Sequence, residues 1–162
     1  MSRLDSFIRR LSAQRECLGL ASRMIAAVPG PVLELGLGNG RTYDHLRRLL
    51  PDREIFVFER AVAAHPDCTP DGAHMILGEL FETLPGAVAR VGAKAALVHA
   101  DIGSADRETD ARLAEFLGRV LGGLMAQGGV IVSDQGLEPE GWAALPPPNG
   151  VEPERYFMYK RR

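Results

Sequence analysis

Val32–Leu33–Glu34–Leu35–Gly36–Leu37–Gly38–Asn39–Gly40–Arg41–Thr42 runs from an apolar strand carrying one acid, through three alternating glycines, into a helical pattern. Alternate glycines let a backbone turn tightly and leave room for a ligand against the main chain. The helix start beyond them offers unpaired N–H groups and the positive end of a dipole. Together these are the parts of a site for a nucleotide-like ligand.

Upstream, Leu4, Phe7, Ile8, Leu11, Leu18, Ala21, Met24, Ile25 and Val28 recur at helical spacing. That predicts one amphipathic helix or two short ones over residues 3–28, stopped by Pro29–Gly30–Pro31. Downstream, a helix from about 40 to 50 ends at Pro51–Asp52, and Ile55–Phe56–Val57–Phe58 makes a second strand closed by Glu59. His74–Leu77 is the third strand. The helical pattern of Glu79–Val91 is interrupted by Pro85–Gly86, and Ala95–His99 is the fourth strand, running on to Asp101. A helix over Asp106–Met125 follows, then Gly128–Gly129 and the fifth strand Val130–Ser133, which ends at Asp134. Gly136–Arg155, rich in Pro and Gly, reads as loop with a helical turn near Trp142, and Tyr156–Lys160 is a last strand.

Short, continuously apolar strands alternating with helices predict a parallel sheet covered on both faces. In such sheets ligands lie beyond the C-terminal ends of the strands. Glu59, Glu79, His99, Asp101, Asp134 and Gln135 all fall on that rim. Glu59 follows the glycine turn by about twenty residues, where a carboxylate can accept both hydroxyls of a ribose.

A chain of 162 residues is long enough for one domain with its own core, and 46% hydrophobic with 25% charged residues is a globular balance. A net charge of −2 carries no footprint for nucleic acid, and Arg9–Arg10, Arg47–Arg48 and Lys160–Arg161–Arg162 read as solvated surface. Cys17 and Cys68 form neither a metal-ligand spacing nor a disulfide framework. Nothing reads as a signal peptide, and no apolar run approaches the roughly 20 residues that span a bilayer, so a cytoplasmic protein with no membrane partner is expected.

A dinucleotide turn needs a third glycine where this chain has Arg41, counting from Gly36, or Tyr43, counting from Gly38. Glu34-x-Gly36-x-Gly38-x-Gly40 instead resembles the first motif of class I S-adenosylmethionine-dependent methyltransferases. The resemblance runs over roughly residues 30–135, through Glu59, Gly78–Glu79–Leu80, Ala100–Asp101 and Gly128–Gly129. It implies a single-domain Rossmann-like α/β sandwich, mostly parallel, with Tyr156–Lys160 as an antiparallel C-terminal strand. That family has another strand before the last, for which Gly136–Glu154 offers no candidate. Residues 30–162 would be the S-adenosylmethionine-binding methyltransferase domain and 1–29 an N-terminal helical extension. The sheet needs no such helix for its core, which leaves it as a lid, a homodimer contact or packing on the sheet edge.

The resemblance also implies roles. Gly36, Gly38 and Gly40 would admit the methionine part of S-adenosyl-L-methionine, with Glu34 shaping the turn. Glu59 would hold the ribose hydroxyls, and Glu79, where the family usually shows Asp, would accept from the adenine amino group beside Gly78, with Leu80 against the ring. Asp101 would lie near the sulfonium and the acceptor. Methyl transfer asks the protein for positioning, water exclusion and, for a hydroxyl or ammonium acceptor, proton removal. Asp101 or His99 could supply that base; His99 reads equally as a strand-end histidine satisfied by the backbone. Tyr43, Trp142 and Tyr156 could wall an acceptor pocket or simply pack.

Gly128–Gln135 is also similar to the fifth strand of metal-dependent catechol-type O-methyltransferases, which ends in Asp–Asn ligands. Gln135 replaces that Asn and His99 stands where an acid should, so no metal is expected. The function expected is methyl transfer to a small-molecule acceptor. The alternatives are an S-adenosylmethionine- or S-adenosylhomocysteine-binding protein without catalysis, a metal-dependent catechol-type O-methyltransferase and a nicotinamide oxidoreductase.

Overall fold

The computed structural model describes residues 2–104 and 106–162. Helix α1 (Arg3–Met24) starts at a reciprocal cap: the Ser2 hydroxyl accepts from the Asp5 N–H and the Asp5 carboxylate accepts from the Ser2 N–H, each at 3.0 Å. It is one helix. Strand β1 (Val32–Leu35), helix α2 (Arg41–Leu49), strand β2 (Ile55–Glu59) and strand β3 (Met75–Leu77) follow. Pro85 divides the next segment into α3 (Leu80–Thr83), a 3₁₀ turn and α4 (Ala87–Val91). Then come β4 (Ala95–Ala100), α5 (Arg107–Leu124), β5 (Met125–Ser133), β6 (Trp142–Leu145) and β7 (Phe157–Arg161).

The seven strands form one sheet in the order β3-β2-β1-β4-β5-β7-β6. The first five are parallel, and β7 runs antiparallel between β5 and β6. Chain order reverses between β1 and β4, and the crevice outside such a switch point is where open α/β sheets bind ligands.

Two strands differ from the sequence-based expectation. Trp142–Leu145 is a strand, paired with β7 from Trp142 opposite Arg161 to Leu145 opposite Met158, rather than loop with a helical turn. Four residues containing Ala–Ala, bounded by Gly141 and Pro146, carry no readable alternation; a partner strand defines them. Strand β5 starts at Met125, so Gly128–Gly129 lie inside it, at an irregularity where pairing with β4 shifts register.

The core has two layers. On one face α5 and the α3–α4 segment cover Leu33, Leu35, Val98 and Ile131. On the other, Cys17, Leu18 and Ala21 of α1 and Leu46 of α2 cover Val32, Leu97, Val130 and Val132. The sheet therefore does need α1: the helix lies on the face formed by β4 and β5, not on an edge. Its first turns carry Leu4, Phe7 and Ile8 exposed. No helix among the described residues is long and apolar enough to cross a membrane.

Candidate functional site

The C-terminal ends of β1 and β4 are the two sides of the switch point, and Gly36 and Asp101 stand there. Gly36 has φ 86°, and a Cβ on it would lie 3.0 Å from the Asp101 carbonyl oxygen, so only glycine lets the two strand ends meet. Gly40, at φ 80°, is tighter still: a Cβ would fall 2.4 Å from the Cys68 carbonyl oxygen. Gly40 thus makes room for the chain's own backbone. Gly38 faces open space and leaves the turn bare on that side.

Glu59, at the end of β2, grips the turn. One carboxylate oxygen accepts from Leu37 N–H at 2.7 Å and Gly38 N–H at 3.1 Å, the other from Arg60 N–H at 2.7 Å and Ala61 N–H at 3.2 Å. Partial burial pushes its pKa up, but the four backbone donors outweigh that and hold it below the ordinary carboxylate value. An ionised acceptor is therefore fixed beside the turn.

Two clefts open here. One, about 240 Å³, runs from Gly36 past Glu59 to Gly78, Glu79, Leu80 and Phe81. Gly78 N–H donates to the Glu59 carbonyl at 3.1 Å, which sets the start of α3 beside the acid. Leu80 packs on the core, and the exposed Glu79 side chain lies 3.9 Å from the Arg60 guanidinium. The other, about 210 Å³, lies between the glycine turn and α1, with Phe7, Leu11, Arg41 and Thr42 in its walls. Gly36 and Asp101 line both. Asp101 takes an ion pair from Arg10 and accepts from Gln14 Nε2 at 3.0 Å.

Glu34 and His99, expected respectively to shape the turn and to serve as a base, are fully buried beneath it. Glu34 accepts from the Thr42 hydroxyl, and its other oxygen lies 2.7 Å from His99 Nδ1. His99 Nε2 lies 2.8 Å from the Tyr156 hydroxyl, which receives Gln14 Nε2 at 3.0 Å. Burial works against the imidazolium, but the Glu34 carboxylate outweighs it and raises the His99 pKa above its usual value. His99 lines neither cleft.

Asp134 is spent on the loop after β4, accepting from Ile102 N–H at 3.1 Å and Gly103 N–H at 2.8 Å. Burial, with Asp101 nearby, raises its pKa against the pull of those donors. Among the described residues no three His, Cys, Asp or Glu side chains gather as a metal site. Tyr43 and Trp142 pack on the two core layers and line neither cleft.

The sequence reads Arg10 as solvated surface, whereas it pairs with Asp101 in the cleft wall, and Gln14 was passed over. Gln14 had a signal: it sits in phase with Leu11 and Leu18, a polar residue where the helical stripe demands an apolar one.

A glycine turn at the switch point of a 3-2-1-4-5-7-6 sheet, with a fixed acid beside it, defines a nucleotide-cofactor enzyme of the Rossmann-like methyltransferase class. The chain belongs to the S-adenosyl-L-methionine methyltransferase family, whose model matches residues 1–161. It is similar to the crystal structure of an S-adenosyl-L-methionine methyl transferase from Silicibacter pomeroyi DSS-3, with 51% identity, a TM-score of 0.93 and coverage of 100% of this chain and 99% of that one. The S-adenosylhomocysteine-bound methyltransferase PaMTH1 of Podospora anserina shares the fold, at 15% identity and TM-score 0.59 over 99% of this chain and 79% of its own. So does the sugar N-methyltransferase KedS8 of Streptoalloteichus sp ATCC 53650, at 20% identity and TM-score 0.54 over 90% of this chain and 61% of its own. No curated protein matches the sequence. The chain is thus an S-adenosylmethionine-dependent methyltransferase.

Proposed function

We propose that the two clefts form one site, in which the methyl donor spans the crevice and a small-molecule acceptor meets it beside Asp101. The observation that carries this is the junction itself: both clefts share Gly36 and Asp101, at the topological switch point. Glu59 holds the ribose hydroxyls, Gly78, Glu79 and Leu80 hold the adenine, and Gly36 and Gly38 receive the methionine part, with Gly40 and Glu34 supporting the turn from behind. The residues fit such a ligand: Glu59 is an ionised acceptor in the cleft wall, and a side chain at Gly38 would point into the open space beside it.

S-adenosylmethionine supplies a methyl carbon on a sulfonium, to which the acceptor's lone pair bonds as the carbon–sulfur pair returns to sulfur. The chain's part is geometry and proton handling. Leu80 and Phe81 line one cleft, and Phe7 and Leu11 the other, with apolar surface that a bound ligand would cover. Of the two base candidates, Asp101 is the one that opens to both clefts, and it takes the proton of an O–H or N–H acceptor; His99 acts from behind it. Clefts of this size suit a small molecule better than a polymer.

Calorimetry with S-adenosylhomocysteine tests the assignment. The wild type should bind in the micromolar range. Glu59→Ala should weaken binding roughly tenfold to a hundredfold, the worth of a charged hydrogen bond, while circular dichroism stays native. Undiminished affinity in that variant would show the ribose contact to be misplaced.

A further inference from the structure

Gln14, Glu34, His99 and Ser133 are the buried polar and charged side chains among the described residues, and three of them belong to one structure. Arg10 and Gln14 hold the Asp101 carboxylate; Gln14 donates onward to Tyr156; Tyr156 meets His99; His99 meets Glu34; and Glu34 receives Thr42. The Gln14 amide serves two neighbours, Asp101 and Tyr156, each at 3.0 Å. The chain runs from α1 through Tyr156, just ahead of β7, to β4, β1 and α2 without a break.

Stability does not account for it. Taking a carboxylate and an imidazolium out of water costs free energy that their attraction at best roughly returns, and apolar side chains of the same volume often serve a core as well or better. What the chain has, and an apolar core would lack, is its two ends. One is Asp101, where the clefts meet; the other is Thr42, in the first turn of α2 directly after the glycines. Both ends stand in the walls of the site, and Arg10 and Gln14 line the cleft beside α1 with them, while His99 and Tyr156 touch neither cleft, so Tyr156→Phe is the cut that leaves both walls intact.

We infer that Gln14, Tyr156 and His99 are positioning residues, forming a buried strut that fixes Asp101 against the glycine turn and ties α1 to both. The inference rests on the reading of the clefts as the donor site. Filling the site shifts the load on Asp101 and Thr42, and the strut carries that shift to His99. A cut at Gln14 or at Tyr156 uncouples the same two ends from each other, so two cuts do no more than one.

The test uses the whole chain with S-adenosylhomocysteine as the probe. Gln14→Met and Tyr156→Phe should each weaken binding about tenfold, and the double variant should bind no more weakly than the poorer single one. Arg9→Ala, which removes a surface ion pair between α1 and Glu152, should bind as the wild type does. In wild-type protein the ring ¹⁵N resonances of His99 should move on saturation, further than those of His65 and His74, and should move less in Gln14→Met. A passive packing role would leave them still. Wild-type affinity in the folded variants, an additive double variant, or unmoved His99 resonances would overturn the strut. If a variant fails to fold, the wild-type His99 resonances decide alone. Loss of affinity in Glu59→Ala with none in Gln14→Met or Tyr156→Phe overturns the strut and spares the donor site; a wild type that does not bind overturns both.

Discussion

Glu34 and His99 face each other in register across β1 and β4, both sealed from solvent. Such a pair gives the protein a defined response to pH. With Glu34 outweighing the burial of the ring, the folded-state pKa of His99 lies above the unfolded value of about 6.5. Its contribution to stability is therefore complete below that pH and is lost as pH rises through the folded-state value. His99→Gln should cost about 3–5 kcal/mol in urea unfolding at pH 6, the penalty for stranding one buried partner, and the deficit should narrow at alkaline pH. A deficit independent of pH would contradict the charged pair. At this scale the sequence was partly legible. Glu34 and His99 could each be placed on a strand end, since the apolar runs around them are unambiguous. Their mutual contact was not visible, because it depends on which strands are neighbours. Gln14 shows the same limit: its place on the apolar stripe marks it as unusual, but nothing local says it reaches Asp101.

At the scale of elements, α1 is where the sequence misled. Its periodicity predicts the helix correctly, but the strand–helix alternation gives it no place in the core and leaves a lid, a dimer contact or packing on the sheet edge. In the structure the lower half of α1 is the cover of β4 and β5, and only its first turns stand free. Leu18 is fully buried in that layer, whereas Leu4 is 66% exposed. Leu18→Ala should therefore cost roughly 2–5 kcal/mol by chemical denaturation, and Leu4→Ala about 0.5 kcal/mol or less. Equal, small effects would mean that α1 is an appendage after all. Strand β6 was illegible for a different reason: a short edge strand takes its conformation from its partner, and Trp142–Leu145 has no alternation of its own to reveal it. Strands β1, β2, β4 and the second half of β5 were readable because they are buried on both faces and so almost wholly apolar, whereas β3, an edge strand with Leu77 exposed, shows only as a short apolar run.

Across the whole molecule, topology turns these residues into a site. The reversal of chain order between β1 and β4 opens a crevice, and the sequence places the glycine turn on one side of it and Asp101 on the other. Glu59 from β2, the α3 segment after β3, and α1 from the far end of the chain complete the walls. Residues distant in sequence share one ligand because parallel strands deliver their C-terminal ends to one rim. The crystal structure of the protein with S-adenosylhomocysteine is the most direct measurement. It should show the ribose hydroxyls on the Glu59 carboxylate, the adenine between Glu79 and Leu80, and the sulfur at the junction beside Asp101. Density for the nucleoside anywhere but the cleft between Glu59 and Leu80 would contradict the site proposed for this methyltransferase.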